Sequence, residues 1–173
     1  MQLTKILIFN IGLCILFFTQ QIYADKTITI PITLFDANGQ GKNIGIIIAA
    51  NARCGLLLTP NLTGLPPGIH GFHVHDKPSC NDKGMAAGGH FDPRDTGKHK
   101  GPYHYQGHMG DLPILVVDEN GRATLSTLAP HLSLATIKGH TLMIHAGQDN
   151  YSDQPEKLGG GGARIACGVI PKT

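Results

Sequence analysis

From Asp25 onward the sequence never sustains a helical repeat for more than two turns, and that absence limits its fold more than any other feature. Short runs broken by glycine stand in its place. Thr27 to Phe35 reads TITIPITLF, alternating threonine with isoleucine or leucine, and the turn-rich stretch from Asp36 to Gly41 follows it. Ile44 to Ala50 and Gly55 to Thr59 are apolar runs bounded by turn residues. Pro113–Val117, Asp118-Glu-Asn-Gly121 and Arg122–Leu128 together read as a hairpin, and Thr141–His145 and Ala163–Ile170 as the last two strands. Twenty-three glycines in 173 residues suit such a turn-rich chain. The expectation is an all-β antiparallel sandwich or barrel, built as one domain with a single core. Between Cys80 and Asp111, and again between Ala146 and Gly162, the strand pattern vanishes. Loops of that length in a compact domain are either functional or disordered.

The first 24 residues stand apart from the fold. Lys5 supplies a positive start, Ile6 to Phe18 is apolar, and Ile22-Tyr23-Ala24 offers a signal-peptidase site before Asp25. The apolar run is short for a bilayer span of about 20 residues, so the segment reads as a cleaved signal and predicts no stable membrane insertion afterwards. Leu13 before Cys14 is too bulky for a lipoprotein box. Removing the segment takes away Lys5 alone, which leaves 13 basic against 12 acidic residues. That balance gives no general attraction for phosphate, so nucleic acid is not expected as a partner. An oxidising compartment favours one disulfide among Cys54, Cys80 and Cys167, and their spacing alone leaves all three pairings open.

Ten histidines against six phenylalanines raise the question of metal. In Gly71-Phe-His-Val-His75, strand geometry puts His73 and His75 on one face, with Phe72 and Val74 toward the core. His90, His99 and His108 follow at intervals of nine. A helix would splay residues at that spacing, whereas a loop rich in Gly and Pro can wrap them round one point. Asp111 adds a carboxylate, and three nitrogens with one oxygen make an ordinary tetrahedral zinc set. His145, ending an apolar run, can join His73 and His75 as a third nitrogen on the sheet. All-imidazole ligation with an open position suits copper. Arg164, after four glycines, is a fixed cation that would hold a small anion beside it.

Six ordered motifs carry a resemblance: GFHVH at Gly71–His75, GGHFDP at Gly88–Pro93, HKGP at His99–Pro102, HMGDLP at His108–Pro113, MIHAGQDNYSD at Met143–Asp153 and GGGGARIACGVI at Gly159–Ile170. From Asp25 to its end the chain resembles copper,zinc superoxide dismutase of the bacterial periplasmic branch. The resemblance implies an antiparallel Greek-key β-sandwich or flattened barrel with two long site-bearing loops. It implies copper held by His73, His75, His90 and His145, zinc held by His90, His99, His108 and Asp111, and His90 bridging the two. Arg164 matches the anion-guiding arginine, Asp149 the aspartate that links a copper histidine to a zinc histidine, and Cys80–Cys167 the intrasubunit disulfide. One copper and one zinc per chain are implied, with His70 a structural histidine outside the ligand set.

The implied reaction turns superoxide into dioxygen and hydrogen peroxide, copper doing the redox work, zinc staying redox-silent and His90 relaying a proton. Lys77, Lys83 and Lys157, in or beside the two loops, are candidates for a positive rim. His104, His131 and His140 fall off the ligand pattern and read as surface or structural residues. Cys54 has no assigned role, and Gln148 stands where a small residue is expected. A non-enzymatic copper- and zinc-binding protein of the periplasm is the alternative, and a zinc hydrolase is disfavoured because four protein ligands leave no place for water. Monomer and homodimer both remain open as assembly states.

Overall fold

Alternation along the first strand sorts its side chains as the sequence suggests: Ile30 and Ile32 are fully buried while Thr29 and Pro31 face outward. The structure is a computed structural model and describes residues 26–39 and 41–172, so the export segment expected at 1–24 lies outside the described residues. Among the described residues ten strands follow in order: β1 (Thr27–Phe35), β2 (Gly41–Ala52), β3 (Gly55–Thr63), β4 (Gly68–His70), β5 (Phe72–His75), β6 (Leu115–Val117), β7 (Arg122–Ala123), β8 (Thr127–Ala129), β9 (Thr141–His145) and β10 (Arg164–Val169). A one-turn helix α1 (Leu134–Ile137) precedes β9, started by a capping box between Ser133 and Thr136.

All pairings are antiparallel. The large sheet runs β5-β9-β10-β1-β2-β3-β7 with β8 also on β3, and β4 pairs with β6 in a second, small sheet. Only Gly71 separates β4 from β5, so the small sheet continues the edge of the large one. Together they curl into the flattened antiparallel barrel that the sequence predicts. Its interior holds Ile47, Leu56, Leu58, Leu62, Phe72, Leu115, Ile137 and Leu142 in one apolar cluster.

Two local readings change. The run read as ending at Thr59 continues through Pro60 to Thr63. Proline lacks a donor, and here it falls between the stretch of β3 that pairs with β8 (Leu56–Leu58) and the stretch that pairs with β7 (Leu62–Thr63), where β3 has no partner on that side. The expected hairpin around Asp118–Gly121 forms its turn, with Gly121 N–H donating to Asp118 O at 3.0 Å and Asp118 N–H to Arg122 O at 2.9 Å, but no ladder continues beyond it. Its two arms pair elsewhere, β6 with β4 and β7 with β3, so the turn joins the two sheets. The two long segments without strand pattern leave β5 and β9 and return over the same end of the barrel.

Candidate metal centre

β5 carries His73 and His75, and its two edges explain why the other ligand candidates come to them. On one edge β9 pairs in register, and His145 N–H donates to Gly71 O at 2.8 Å, which sets the end of β9 beside the start of β5. On the other edge the first long loop closes the strand at both its ends. Phe91 N–H donates to Val74 O and Val74 N–H to Gly110 O, each at 2.8 Å, and backbone bridges set His90 opposite His75 and Asp111 opposite His73. The loop therefore starts and finishes on β5, with His99 and His108 in its middle.

The result is a buried cluster. Ligand atoms of His73, His75, His90 and His145 all lie within 4.8 Å of one another, as do those of His73, His90, His99 and Asp111. The Nδ1 atoms of His90 and His99 each lie 3.0 Å from Asp111 Oδ1, and that of His108 lies 3.4 Å from it. His108 thus joins the carboxylate from the rim, outside the tighter second group. Phe72 and Val74 point into the core, and β5 is buried on both faces.

Each histidine on the β5 side spends one nitrogen on an anchor and keeps the other bare. His73 Nε2–H donates to Asp149 Oδ2 at 2.8 Å, His75 Nδ1–H to Gly88 O at 2.9 Å and His145 Nδ1–H to Gly162 O at 3.2 Å. Their second nitrogens, His73 Nδ1, His75 Nε2 and His145 Nε2, are buried with no hydrogen-bond partner. Buried polar atoms left unsatisfied are rare and costly, and three converging on one point fit a cation with imidazole ligands. His99 Nδ1 and His108 Nδ1 are likewise buried and without an aligned hydrogen bond, although both face Asp111. Each anchor also fixes a tautomer that aims a lone pair inward.

Electrostatics sort the cluster into two halves. Burial, reinforced by His90, lowers His73 to about 3 and His75 to about 2; burial lowers His145 to about 4 and also lowers His90. These four are neutral imidazoles at physiological pH, the form that binds a metal. Around His99 the sign reverses. Burial opposes its charge, but hydrogen bonds to Asp111 and Asp149 outweigh burial and raise it to about 9. Hydrogen bonds from histidines hold both aspartates below the usual carboxylate range despite their burial. Two ionised carboxylates in one buried place are the electrostatics of a dication site.

Asp149 stands between the halves, since its Oδ1 accepts from His99 Nε2 at 2.8 Å while its Oδ2 holds His73. Arg164 pairs with His145 across β10 and β9. Its Nη1–H donates to Gly84 O at 2.5 Å and its Nη2–H to Gly88 O at 2.7 Å, so Gly88 O serves both Arg164 and His75. Gly88 has φ 78° and ψ −154°, a backbone region that essentially only glycine reaches. No side-chain pattern marks these two carbonyls, and sequence reading passed over them. A cleft of about 370 Å³ opens onto the cluster, lined by His90, His145 and Arg164 with Met85, Glu156, Lys157 and Leu158. Of the three lysines expected at a rim, Lys157 lines it. Lys77 and Lys83 do not, and Lys83 Nζ–H donates to Ala37 O at 2.5 Å in the β1–β2 turn.

The remaining cysteines and histidines among the described residues are also placed. Cys80 and Cys167 form a disulfide, and Cys54 is free and exposed in the β2–β3 turn. His70 lies 2.8 Å from both His145 O and Pro66 O. His140 Nδ1–H donates to Asp76 O at 2.7 Å, His104 Nδ1 accepts from Gln106 N–H at 3.1 Å, and His131 packs on Tyr105 with ring centres 4.4 Å apart.

Comparison with known proteins places this geometry. The family described as copper/zinc superoxide dismutase (SODC) matches residues 21–170. Superoxide dismutase (Cu-Zn) 1 of Salmonella typhimurium is 55% identical over 158 residues, covering 86% of this chain and 89% of the relative. Among solved structures, the copper/zinc superoxide dismutase of Brucella abortus superposes with a TM-score of 0.79 at 47% identity, over 84% of this chain and 99% of its own. The monomeric copper, zinc superoxide dismutase of Salmonella enterica gives 0.73 at 50% identity, with the same two coverages.

Proposed function

Since the chain belongs to the copper/zinc superoxide dismutase family, we propose a role in its reaction for each residue of the buried cluster. The protein is a copper- and zinc-dependent oxidoreductase that converts superoxide to dioxygen and hydrogen peroxide. Bound copper supplies the one-electron couple that oxidises one superoxide and reduces the next, while zinc is redox-silent.

Copper is assigned to His73 Nδ1, His75 Nε2, His90 Nε2 and His145 Nε2, and zinc to the Nδ1 atoms of His90, His99 and His108 with Asp111 Oδ1. The bare, buried nitrogens of His73, His75 and His145 are the single observation that carries this assignment. His73 also lies within reach of the zinc group, but its Nε2 is committed to Asp149 and its free atom belongs with the copper set. His108 is therefore taken as the fourth zinc ligand. His90 touches both sets, one nitrogen each.

The chain's own part is to bind, orient and move protons. A guanidinium has five N–H donors, and Arg164 uses one on Gly84 O and one on Gly88 O. Those bonds fix its plane beside the cleft, and the remaining donors are free to hold the superoxide anion. His90 Nε2 can hold a proton only when it is not a copper ligand; in that state it would give one of the two protons that hydrogen peroxide needs, the other coming from water. Asp149 fixes the orientation of His73 and His99 together, which keeps the two ligand sets in register.

Metal analysis and superoxide consumption on the chain from Asp25, before and after copper loading, test this reading. One copper and one zinc per chain with activity that tracks copper supports it; full copper occupancy without activity overturns it. The signal-like Met1–Ala24, the disulfide and the bacterial relatives support export to the periplasm, with residues 25–173 as the mature domain. N-terminal sequencing of the periplasmic fraction should read Asp25. A homodimer would cover the exposed Ile69 and Val116, which pair across β4 and β6, and sedimentation distinguishes it from a monomer.

A further inference from the structure

Two carboxylates of one loop grip the same histidine. Asp149 Oδ1 accepts from His99 Nε2–H at 2.8 Å, and four residues on, Asp153 Oδ2 accepts from the His99 backbone N–H at 2.9 Å. The second grip does not end there. Asp153 Oδ1 accepts from Leu158 N–H at 3.2 Å, so one side chain ties the backbone of the first long loop to a turn in the second. The bond from His99 is the foremost cause that lowers the Asp153 carboxyl below its ordinary value.

That turn is held in an unfavourable shape. Leu158 has φ 57° and ψ 36°, the left-handed region that a branched side chain avoids. The residue is 42% exposed, so packing is not what keeps it there. Hydrogen bonds from the backbone do so instead: Leu158 N–H to the Asp153 carboxylate, and Gly159 N–H to Ser152 O at 3.0 Å. The residues that the turn presents, Glu156, Lys157 and Leu158, line the cleft wall together with His90, His145 and Arg164. Asp153 thus stands between a zinc-side histidine and the wall along which substrate must pass, touching neither metal ligand atoms nor substrate.

We propose that Asp153 is a positioning residue that couples the zinc site to the cleft wall, by joining the backbone of His99 to the turn at Leu158. The inference rests on the assignment of His99 to zinc. Seating zinc on His99 fixes its backbone, and the fixed backbone holds Asp153 and the turn. Coupling of this kind is reciprocal, so the intact turn strengthens zinc binding by the same factor. Both oxygens are needed as acceptors. Asn offers only one, because its amide nitrogen donates and cannot accept an N–H.

The test reads amide exchange at Lys157 and Leu158 by NMR in the mature chain, metal-free and zinc-loaded, for the parent protein, Asp153→Ala and Asp153→Asn. Competition with a chelator gives zinc affinity on the same samples. In the parent, zinc should slow exchange at Leu158 by about fivefold or more, the lower end of typical couplings. Asp153→Ala should abolish that response and weaken zinc by the same factor, with Asp153→Asn in between, while amides of Leu142 and Ala166 stay unchanged. A purely structural Asp153 would leave the turn looser with and without zinc but keep the zinc response, and that result overturns the proposal. Should Asp153→Ala fail to fold, Asp153→Asn decides, and a full zinc response in it also overturns the coupling. If zinc binds the parent without perturbing the His99 ring resonances, the zinc assignment itself falls, and the coupling with it.

Discussion

His73 and His90 belong to both groups of the cluster, but His73 commits its Nε2 to Asp149, so in the proposed assignment metal coupling and proton delivery fall to His90. His90→Ala should reduce superoxide turnover by about 100-fold or more at full copper occupancy, the lower end of what a positioned proton donor contributes. Near-native turnover in stopped-flow assays would remove the bridge from the mechanism. Gly159 shows how tightly the supporting carboxylate is placed. A Cβ there would lie 1.9 Å from Asp149 Oδ1 and 2.9 Å from His99 Nε2. Gly159→Ala should therefore expel Asp149 from its two histidines and cost the protein its zinc. Gly64 has a comparable φ, +86° against +74°, but open space around it. Gly64→Ala should carry the backbone penalty alone and keep zinc, and metal analysis of the two variants separates strain from collision. The ligand candidates were legible in the sequence because metal chemistry restricts donors to a few residue types whose spacing can be read. The carbonyls of Gly84 and Gly88 were not, since any residue owns a carbonyl and only the folded loop shows which ones Arg164 reaches.

Strands were legible where one face is buried and the other wet. β1 and β9 lie where alternation and apolar runs put them, because period-two burial is written in consecutive residues. Pairing partners are not local, which is why the turn at Asp118–Gly121 was visible and the separation of its two arms onto different sheets was not. Pro60 misled for a related reason: a missing donor matters only if a neighbour needs it, and β3 has none at that point on the side that β7 and β8 occupy. The disulfide acts at this scale too. It ties Cys80, in the loop leading to His90, to Cys167 on β10, three residues after Arg164, across 87 residues of sequence. Closing a loop of that length stabilises by about 4–5 kcal/mol in the chain-entropy view. A Cys80→Ser, Cys167→Ser double variant should melt about 5–20 °C lower. It should also lose activity below its melting temperature, because Gly84 O, which holds Arg164, lies in the freed loop. Thermal melts alongside assays at 25 °C check both, and unchanged specific activity would confine the disulfide to stability.

At the scale of the whole molecule, a net charge near zero neither attracts nor repels superoxide, so attraction must come from where charges sit. Steering, for which this family is itself a known example, raises encounter rates about 10- to 1,000-fold and fades as salt rises. With a screening length of about 8 Å at physiological salt, only charges near the mouth contribute. Lys157 lines the cleft and Lys83 is bonded to the β1–β2 turn. Lys157→Ala should lower kcat/KM and flatten its ionic-strength dependence, whereas Lys83→Ala should do neither; equal effects would spread the field over the whole surface. Metal dependence divides the molecule in the same uneven way. The β1–β2–β3 meander packs Ile30, Ile32, Ile47, Leu56 and Leu58 in the apolar core, with no ligand candidate on any of the three strands. The loops over the cluster contribute few residues to that core and converge on histidines and aspartates. Ligands that bind only the native state stabilise it by mass action, about 4 kcal/mol at a thousandfold excess over Kd. Chelating both metals should therefore unlock residues 76–114 and 146–163 while the meander keeps its protection, because its stability comes from apolar burial. Hydrogen-exchange mass spectrometry on the metal-free chain reads this directly. If protection is lost uniformly, the barrel and its metal centre are one cooperative unit, and the core alone does not sustain the sheet.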